Sequence, residues 1–130
     1  MDLSENITGL QHIGIPTDKF QETLDFYQAI GFKEVHRNRV PETGQEVSFM
    51  NNKNLMMEIY ESGEPALHTG AIDHIAIDVT DINDAYQYMK DTGFKFAEDQ
   101  IGSLDFWEKG IRYFIMLGPN SERIEFCQRL

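Results

Sequence analysis

The apolar and polar positions of this chain follow one plan twice. Alternation from Leu10 to Ile15 predicts a strand, and apolar residues at helical spacing from Phe20 to Ile30 predict a helix behind it. Three apolar runs separated by turn-forming residues then predict strands over 32–40, 46–50 and 55–60. After a linker at 62–70 the same order returns, with strands over 72–79, 95–98, 111–117 and 123–128 and an irregular segment over 99–110.

Helix boundaries are marked by capping residues in both copies. Thr17 or Asp18 is the expected N-cap of the first helix, and Thr80 or Asp81 that of the second. A glycine ends each helix, at Gly31 and Gly93. The predicted fold class is therefore α+β, with two βαβββ modules in tandem at about 9–61 and 71–130. A module of this size is marginal alone, so residues 1–130 are expected to form one domain.

The repeat also places the same chemistry twice. His12 recurs as His74, 62 positions later, and the Gly-Phe-Lys tripeptide at 31–33 recurs at the same offset at 93–95. Each copy closes with a glutamate inside an apolar strand, Glu58 and Glu125. A duplicated unit that supplies one histidine and one glutamate per copy is able to build a site with four metal ligands.

Strand alternation predicts where these side chains point. The β-branched residues beside His74 are expected to pack on the helices, so the histidine should face the opposite, concave side of a curved mixed sheet. The same alternation places Glu58 and Glu125 on that side. If the two halves meet symmetrically, the four side chains converge. Two imidazoles and two carboxylates suit one divalent ion, and Zn²⁺, Ni²⁺, Co²⁺, Mn²⁺ and Fe²⁺ all remain open.

Composition excludes several classes of partner. The net charge of −11 and the pI near 4.6 disfavour binding to nucleic acid or to anionic membrane surfaces. A single cysteine, Cys127, allows no intrachain disulfide and favours a reducing, cytoplasmic setting. The acidic amino terminus does not resemble a secretory signal, and no apolar run approaches the roughly 20 residues that span a bilayer.

Sequence motifs in both halves carry a family resemblance. His12-Ile-Gly-Ile, Thr23-Leu-Asp-Phe-Tyr27, His74-Ile-Ala-Ile-Asp-Val79 and Gly118-Pro-Asn-Ser-Glu-Arg-Ile-Glu-Phe126 resemble the motifs of the vicinal oxygen chelate superfamily. This superfamily includes glyoxalase I, fosfomycin-resistance proteins, methylmalonyl-CoA epimerase and extradiol dioxygenases. The resemblance extends from Leu10 to Gln128 and implies the tandem βαβββ fold.

Ligand identity makes the chain most similar to glyoxalase I. The resemblance implies that His12, Glu58, His74 and Glu125 hold one divalent metal ion, because a glutamate at the Glu58 position is typical of that enzyme. It further implies a lyase or isomerase similar to lactoylglutathione lyase, which moves a proton through an enediolate on a small α-hydroxycarbonyl or thiohemiacetal substrate. Glu125 is the implied base and Glu58 its counterpart. A homodimer is also expected.

Two alternatives remain open at this stage, and the substrate-binding residues are unassigned. One alternative is a small-molecule-binding protein of the resistance type without catalysis, and the other is a dioxygenase that uses only His12, His74 and Glu125. Pro16 stands where glyoxalase I commonly has an arginine that contacts glutathione, and the asparagine expected after Glu58 is absent. The cations that remain as candidates for binding an anionic substrate are Arg37, Arg39, Lys109 and Arg112.

Overall fold

The computed structural model describes residues 2–130, which form two compact units divided between Pro65 and Ala66. Each unit has one four-stranded mixed sheet with a helix packed on one face. This arrangement confirms the predicted α+β class and the tandem βαβββ modules, whereas the grouping of residues 1–130 into one domain stays a prediction. Among residues 2–130, none of the helices has the length and apolar character needed to cross a bilayer.

The first unit contains a short helix that the sequence analysis missed, followed by the expected strand, helix and three strands. Its elements are α1 (Leu3–Asn6), β1 (Ile13–Thr17), α2 (Phe20–Ala29), β2 (Lys33–Arg39), β3 (Glu46–Asn52) and β4 (Leu55–Glu61). The sheet order is β1-β4-β3-β2, with β1 parallel to β4 and the other neighbours antiparallel.

The second unit repeats this topology. Its elements are β5 (Ile75–Asp78), α3 (Ile82–Thr92), β6 (Phe96–Leu104), β7 (Ile111–Leu117) and β8 (Arg123–Arg129). The sheet order is β5-β8-β7-β6, again with one parallel pair, β5 and β8. Equivalent strands of the two units therefore hold equivalent positions in their sheets.

Burial follows the predicted alternation and places the core of each unit between sheet and helix. Met57 and Ile59 of β4 are fully buried, whereas Glu58 between them is half-buried. In β8, Ile124 and Phe126 are buried around the half-buried Glu125. Helices α2 and α3 pack on the buried faces. Both glutamates thus lie on the sheet face away from the helix of their own unit, as predicted.

The first strand of each unit is shorter than predicted. Strand β1 begins at Ile13 and β5 at Ile75, so His12 and His74 precede their strands instead of lying inside them. Strand β1 also continues through Pro16 to Thr17, which the sequence analysis placed beyond its end. Strand β1 lies at the edge of its sheet, which is where prolines within sheets are tolerated.

The N-cap was predicted correctly in only one of the two units, whereas Gly31 follows the C-cap of α2 at φ +105°, as predicted. Asp81 is the N-cap of α3, with its carboxylate accepting from two backbone N–H groups, and Gly93 ends the helix at φ +76°. In the first unit the N-cap of α2 is Lys19, not Thr17 or Asp18. The Thr17 hydroxyl accepts a 2.9 Å hydrogen bond from the Lys19 N–H, so it orders the turn before the helix instead of capping it.

Strand β6 is much longer than the predicted strand over 95–98. It runs to Leu104, and its pairing with β7 shifts register between Phe96 and Glu98 and again between Glu98 and Gly102. These irregularities disrupt the period of two that identifies a strand in a sequence. Because β6 is an edge strand, its polar sequence also meets solvent.

A carboxylate on β2 makes the stability of the first unit sensitive to acid. Glu34 accepts a hydrogen bond from the buried Ser48 hydroxyl and an ion pair from Arg37 at 2.9 Å. The Ser48 hydrogen bond is the main cause that lowers the pKa of Glu34 from its ordinary value of 4.5, with Arg37 adding to it and burial opposing it. The ionised form therefore stabilises the folded state above the unfolded pKa, and this contribution disappears as pH falls through the lower, folded pKa.

We therefore expect Glu34→Gln to be less stable than the wild type near pH 7 and to lose less stability on acidification below about pH 4.5. Urea unfolding at a series of pH values measures how the free energy of unfolding changes with pH in the variant and in the wild type. Glu42→Gln on an exposed turn is the matched control and should follow the wild type. The same pH dependence of the free energy of unfolding in Glu34→Gln and the wild type would contradict a stabilising role of ionised Glu34.

Candidate metal centre

In the first unit, His12 and Glu58 face each other over the sheet. His12 Nε2 lies 3.8 Å from Glu58 Oε1. Glu58 is the centre of a row across the sheet, with Gly14 on one side and Phe49 on the other. The His12 ring stands edge-on to Phe49 at 5.7 Å between centroids. A methyl group at Gly14 would lie 3.6 Å from Glu58 Oε1, an ordinary van der Waals separation.

The second unit repeats the pair. His74 Nε2 lies 3.6 Å from Glu125 Oε1, and Glu125 is flanked across the sheet by Ala76 and Ile115. Ala76 occupies the position equivalent to Gly14. The Glu125 side chain is 18% exposed and that of Glu58 28%, so Glu125 is the better shielded of the two carboxylates.

Each histidine is oriented by the residue immediately before it. His74 Nδ1 donates to Asp73 Oδ2 at 2.8 Å, and His12 Nδ1 contacts the Gln11 side-chain oxygen. A carboxylate only accepts, so Nδ1 of His74 carries a proton, and Nε2 is the ring nitrogen that faces Glu125. Hydrogen bonding of the second ring nitrogen is typical of metal-binding histidines.

Gln11 and Asp73 were missed by the sequence analysis. The signal was nevertheless present, because both residues carry a side-chain oxygen and both directly precede a repeated histidine. Their chemistry differs, since one is a neutral amide and the other a carboxylate. His74 therefore has the more strongly polarised ring, and the two halves are inequivalent despite their matched geometry.

The donor set of each unit fits a divalent ion. Separations of 3.6 and 3.8 Å are too long for a hydrogen bond, which rarely exceeds about 3.2 Å. Two donors that each lie about 2.1 Å from an ion are roughly 3.0 to 3.4 Å apart, so a small side-chain movement suffices. Within either unit of the described chain, no third histidine, cysteine, aspartate or glutamate completes a ligand cluster. Each unit thus offers two donors.

The structure therefore joins the four predicted ligands in two pairs, His12 with Glu58 and His74 with Glu125. Their convergence on one ion stays a prediction. Cys127 lies two residues beyond Glu125 on the same strand. Burial raises the pKa of the Cys127 thiol, and the charges of Glu125 and Asp78 raise it further.

Two of the candidate cations for substrate binding are neutralised by ion pairs. Arg37 pairs with Glu34 and Glu46, and Arg39 pairs with Glu46 at 2.7 Å. A third, Arg112, lies two residues before Phe114, which packs against Tyr86 of α3, so it belongs to the helix side of the sheet.

Arg123 is the cation beside the second His–Glu pair, and the sequence analysis did not consider it for this role. It lies on the same face of β8 as Glu125, and its Nε is 3.6 Å from Asp73 Oδ2. The signal available in the sequence was its position two residues before Glu125, because residues two apart in a strand share one face.

A cavity of about 180 Å³ opens on this face of the second unit. Polar and apolar residues line it in similar measure. They are Ala97, Glu98, Gln100, Gly102, Tyr113, Phe114, Ile115 and Arg123. Because Ile115 is the cross-strand neighbour of Glu125, the cavity adjoins the candidate ligand pair.

Comparison with known proteins agrees with this architecture. The sequence profile described as the Glyoxalase/Bleomycin resistance protein/Dioxygenase superfamily matches residues 8–114. The uncharacterized protein YwbC of Bacillus subtilis (strain 168) is 31% identical over 128 residues, which cover 92% of this chain and 97% of that protein.

Solved structures share the fold at low sequence identity. A glyoxalase family protein from Enterococcus faecalis superposes with a TM-score of 0.79 at 20% identity, covering 94% of this chain and 98% of the other. The fosfomycin resistance protein FosX from Listeria monocytogenes, in complex with Mn(II) and sulfate, gives a TM-score of 0.73 at 17% identity and covers 95% of this chain and 94% of its own. The chain belongs to the Glyoxalase/Bleomycin resistance protein/Dioxygenase superfamily.

Proposed function

We propose that this protein is a divalent-metal-dependent lyase or isomerase of the glyoxalase type, which moves a proton between neighbouring carbons of a small α-hydroxycarbonyl or thiohemiacetal substrate. One observation carries the proposal. Both units hold a histidine Nε2 facing a glutamate oxygen, and in both the Nδ1 atom meets a side-chain oxygen of the preceding residue. A merely structural histidine has no need of this matched arrangement.

His12, Glu58, His74 and Glu125 are the proposed ligands of one ion. Each unit supplies two donors, so a site with four requires one pair from each of two units, within one chain or between two copies. The Mn(II) in the related FosX structure supports a divalent ion in this fold. A homodimer, a small-molecule substrate and a cytoplasmic location complete the proposal, the last supported by the lone cysteine.

The protein side chains have distinct roles in the proposed reaction. When bound, the divalent ion supplies Lewis acidity that polarises a substrate carbonyl oxygen. Glu125 takes the proton from the hydroxyl-bearing carbon next to this carbonyl and returns it to the carbonyl carbon, while the hydroxyl proton passes to the former carbonyl oxygen. Its lower exposure supports this assignment, because a shielded base exchanges its proton less readily with bulk water. Glu58 holds the equivalent position in the first unit and supports charge balance at the ion.

The proposed function predicts metal-dependent proton exchange. We expect protein loaded with a divalent ion to exchange the carbon-bound protons next to the carbonyl of hydroxyacetone or hydroxypyruvate with D₂O, followed by NMR. Removal of the ion with a chelator should abolish exchange, and its return should restore exchange. A loaded protein that binds these probes without exchange would instead identify a non-catalytic binding protein. Incorporation of oxygen from O₂ into a probe would identify a dioxygenase.

A further inference from the structure

We propose that the cavity of the second unit binds the carboxylate of a small hydroxycarbonyl acid, and that Arg123 is the residue that selects it. The inference rests on the proposed function, because it names the class of substrate on which the proposed reaction acts. Binding of the carboxylate requires only the Arg123 side chain and the cavity, and it does not require that the reaction occur.

The main observation is an unsatisfied donor. Arg123 Nε is buried, and among residues 2–130 it has no hydrogen-bond acceptor. Arg123 forms an ion pair with the Asp73 carboxylate at 3.6 Å, a distance beyond hydrogen-bonding range. A buried donor without a partner is costly, more so when it carries charge. Because Nε itself is covered, an acceptor from outside the protein meets the part of the guanidinium that reaches solvent, and a planar carboxylate matches the geometry of its N–H donors.

The accessible part of Arg123 lies at the cavity. The side chain remains 32% exposed although Nε is covered, so other atoms of the side chain reach solvent, and the residue lines the cavity. Arg123 and Glu125 are two residues apart on one strand face, a separation of about 7 Å. A carboxylate held by Arg123 therefore places a carbon one or two bonds away within reach of Glu125.

Cavity size restricts the substrate to a small molecule. The volume of about 180 Å³ lies below the roughly 300 Å³ at which pockets for drug-sized ligands begin. At one end the Tyr113 ring lies against Gly102, where an added methyl carbon would stand only 2.8 Å from Tyr113 Cζ. The cavity therefore suits an acid of about three to five carbons.

The other charged group of the cavity favours a hydroxy acid over a simple acid. Glu98 lies in the same row across the sheet as Ile115 and Glu125, on the far side of Ile115 from Glu125. It accepts a hydrogen bond from Gln100 at 2.8 Å and has further acceptor capacity. Glu98 repels a carboxylate, so the anionic group is directed to Arg123, while a substrate hydroxyl is able to donate to Glu98.

The test compares two probes that differ by one group. Hydroxypyruvate carries a carboxylate where hydroxyacetone has a methyl group, and both are titrated calorimetrically into Mn(II)-loaded protein. We expect Arg123→Gln to weaken hydroxypyruvate binding about tenfold to a hundredfold, the effect of one charge-assisted interaction, and to leave hydroxyacetone unchanged. The affinity of Arg123→Lys for hydroxypyruvate should lie between those of the wild type and Arg123→Gln, because lysine keeps the positive charge but lacks the planar N–H donors of the guanidinium.

Matched controls separate this effect from a loss of structure. Arg112→Gln removes the same charge from the helix side of the same sheet and should bind both probes as the wild type does. Gly102→Ala pushes the Tyr113 ring into the cavity and should weaken both probes alike, several-fold. Thermal melting of every variant identifies a folding defect. If Arg123→Gln melts at a lower temperature than the wild type, the comparison of the two probes is made with Arg123→Lys instead.

Each result has one consequence. Equal loss of both probes in the folded Arg123 variants, or no loss of hydroxypyruvate, would overturn the inference even if proton exchange is observed. Selective loss of hydroxypyruvate supports the inference, including the case in which neither probe undergoes exchange and the proposed reaction fails.

Discussion

Replacement of Glu125 by glutamine is expected to lower metal-dependent proton exchange about 10²- to 10⁴-fold, the usual contribution of a positioned base. Glutamine keeps the shape and an oxygen donor but lacks a basic carboxylate. The exchange rate is measured by NMR in D₂O at a metal concentration that saturates each variant. Weaker ion binding then does not contribute to the difference.

Glu58→Gln is the matched control because it makes the same change at the equivalent position of the first unit. Glu58 is more exposed and has no adjoining arginine on its strand, where Met56 occupies the position of Arg123. We expect this variant to retain much more exchange than Glu125→Gln. A larger loss in Glu58→Gln would reverse the roles of the two glutamates, and full exchange in Glu125→Gln would remove the proposed base.

Replacement of Asp73 by asparagine is expected to weaken divalent-ion binding by about 10- to 100-fold, the typical effect of losing a carboxylate that orients a histidine ligand. Asp73 accepts from His74 Nδ1 at 2.8 Å, and its charge makes the opposite ring nitrogen a stronger donor to a cation. Competition of Co(II) with a chromophoric chelator measures the affinity directly, without any substrate.

The equivalent change in the first unit is Gln11→Ala, which we expect to lower the affinity for the divalent ion by a smaller factor. The Gln11 amide positions the His12 ring but carries no charge to polarise it. A loss in Gln11→Ala as large as that in Asp73→Asn would contradict the inequivalence of the two histidines. Unchanged affinity in Asp73→Asn would show that His74 is not a ligand.

Strand alternation explains how much of the site was predictable. The period of two is a local property, and the residues beside Glu58 and Glu125 record it clearly, so the sequence placed both carboxylates on the face away from the helix. Repetition of the pattern at a constant offset then identified the histidines without any tertiary information. The same local rules predicted the Asp81 cap and the Gly93 stop of α3.

Features that depend on non-local pairing were not predictable in the same way. The extension of β6 to Leu104 requires two register shifts against β7, which leave no regular period in the sequence. Pairing of Arg37 with carboxylates from two strands depends on the β2–β3 register, so its removal from the list of anion binders required the structure. The same holds for Arg123, whose importance lies in a buried Nε atom.

Metal stoichiometry tests the central claim most directly. Titration of the ion-free wild type with Co(II), followed by absorbance and by elemental analysis after dialysis, is expected to give one ion per chain, because two His–Glu pairs share each ion. His12→Ala and His74→Ala should each lower the affinity at this single site. Binding of two independent ions per chain, or of none, would contradict a common centre built from both pairs.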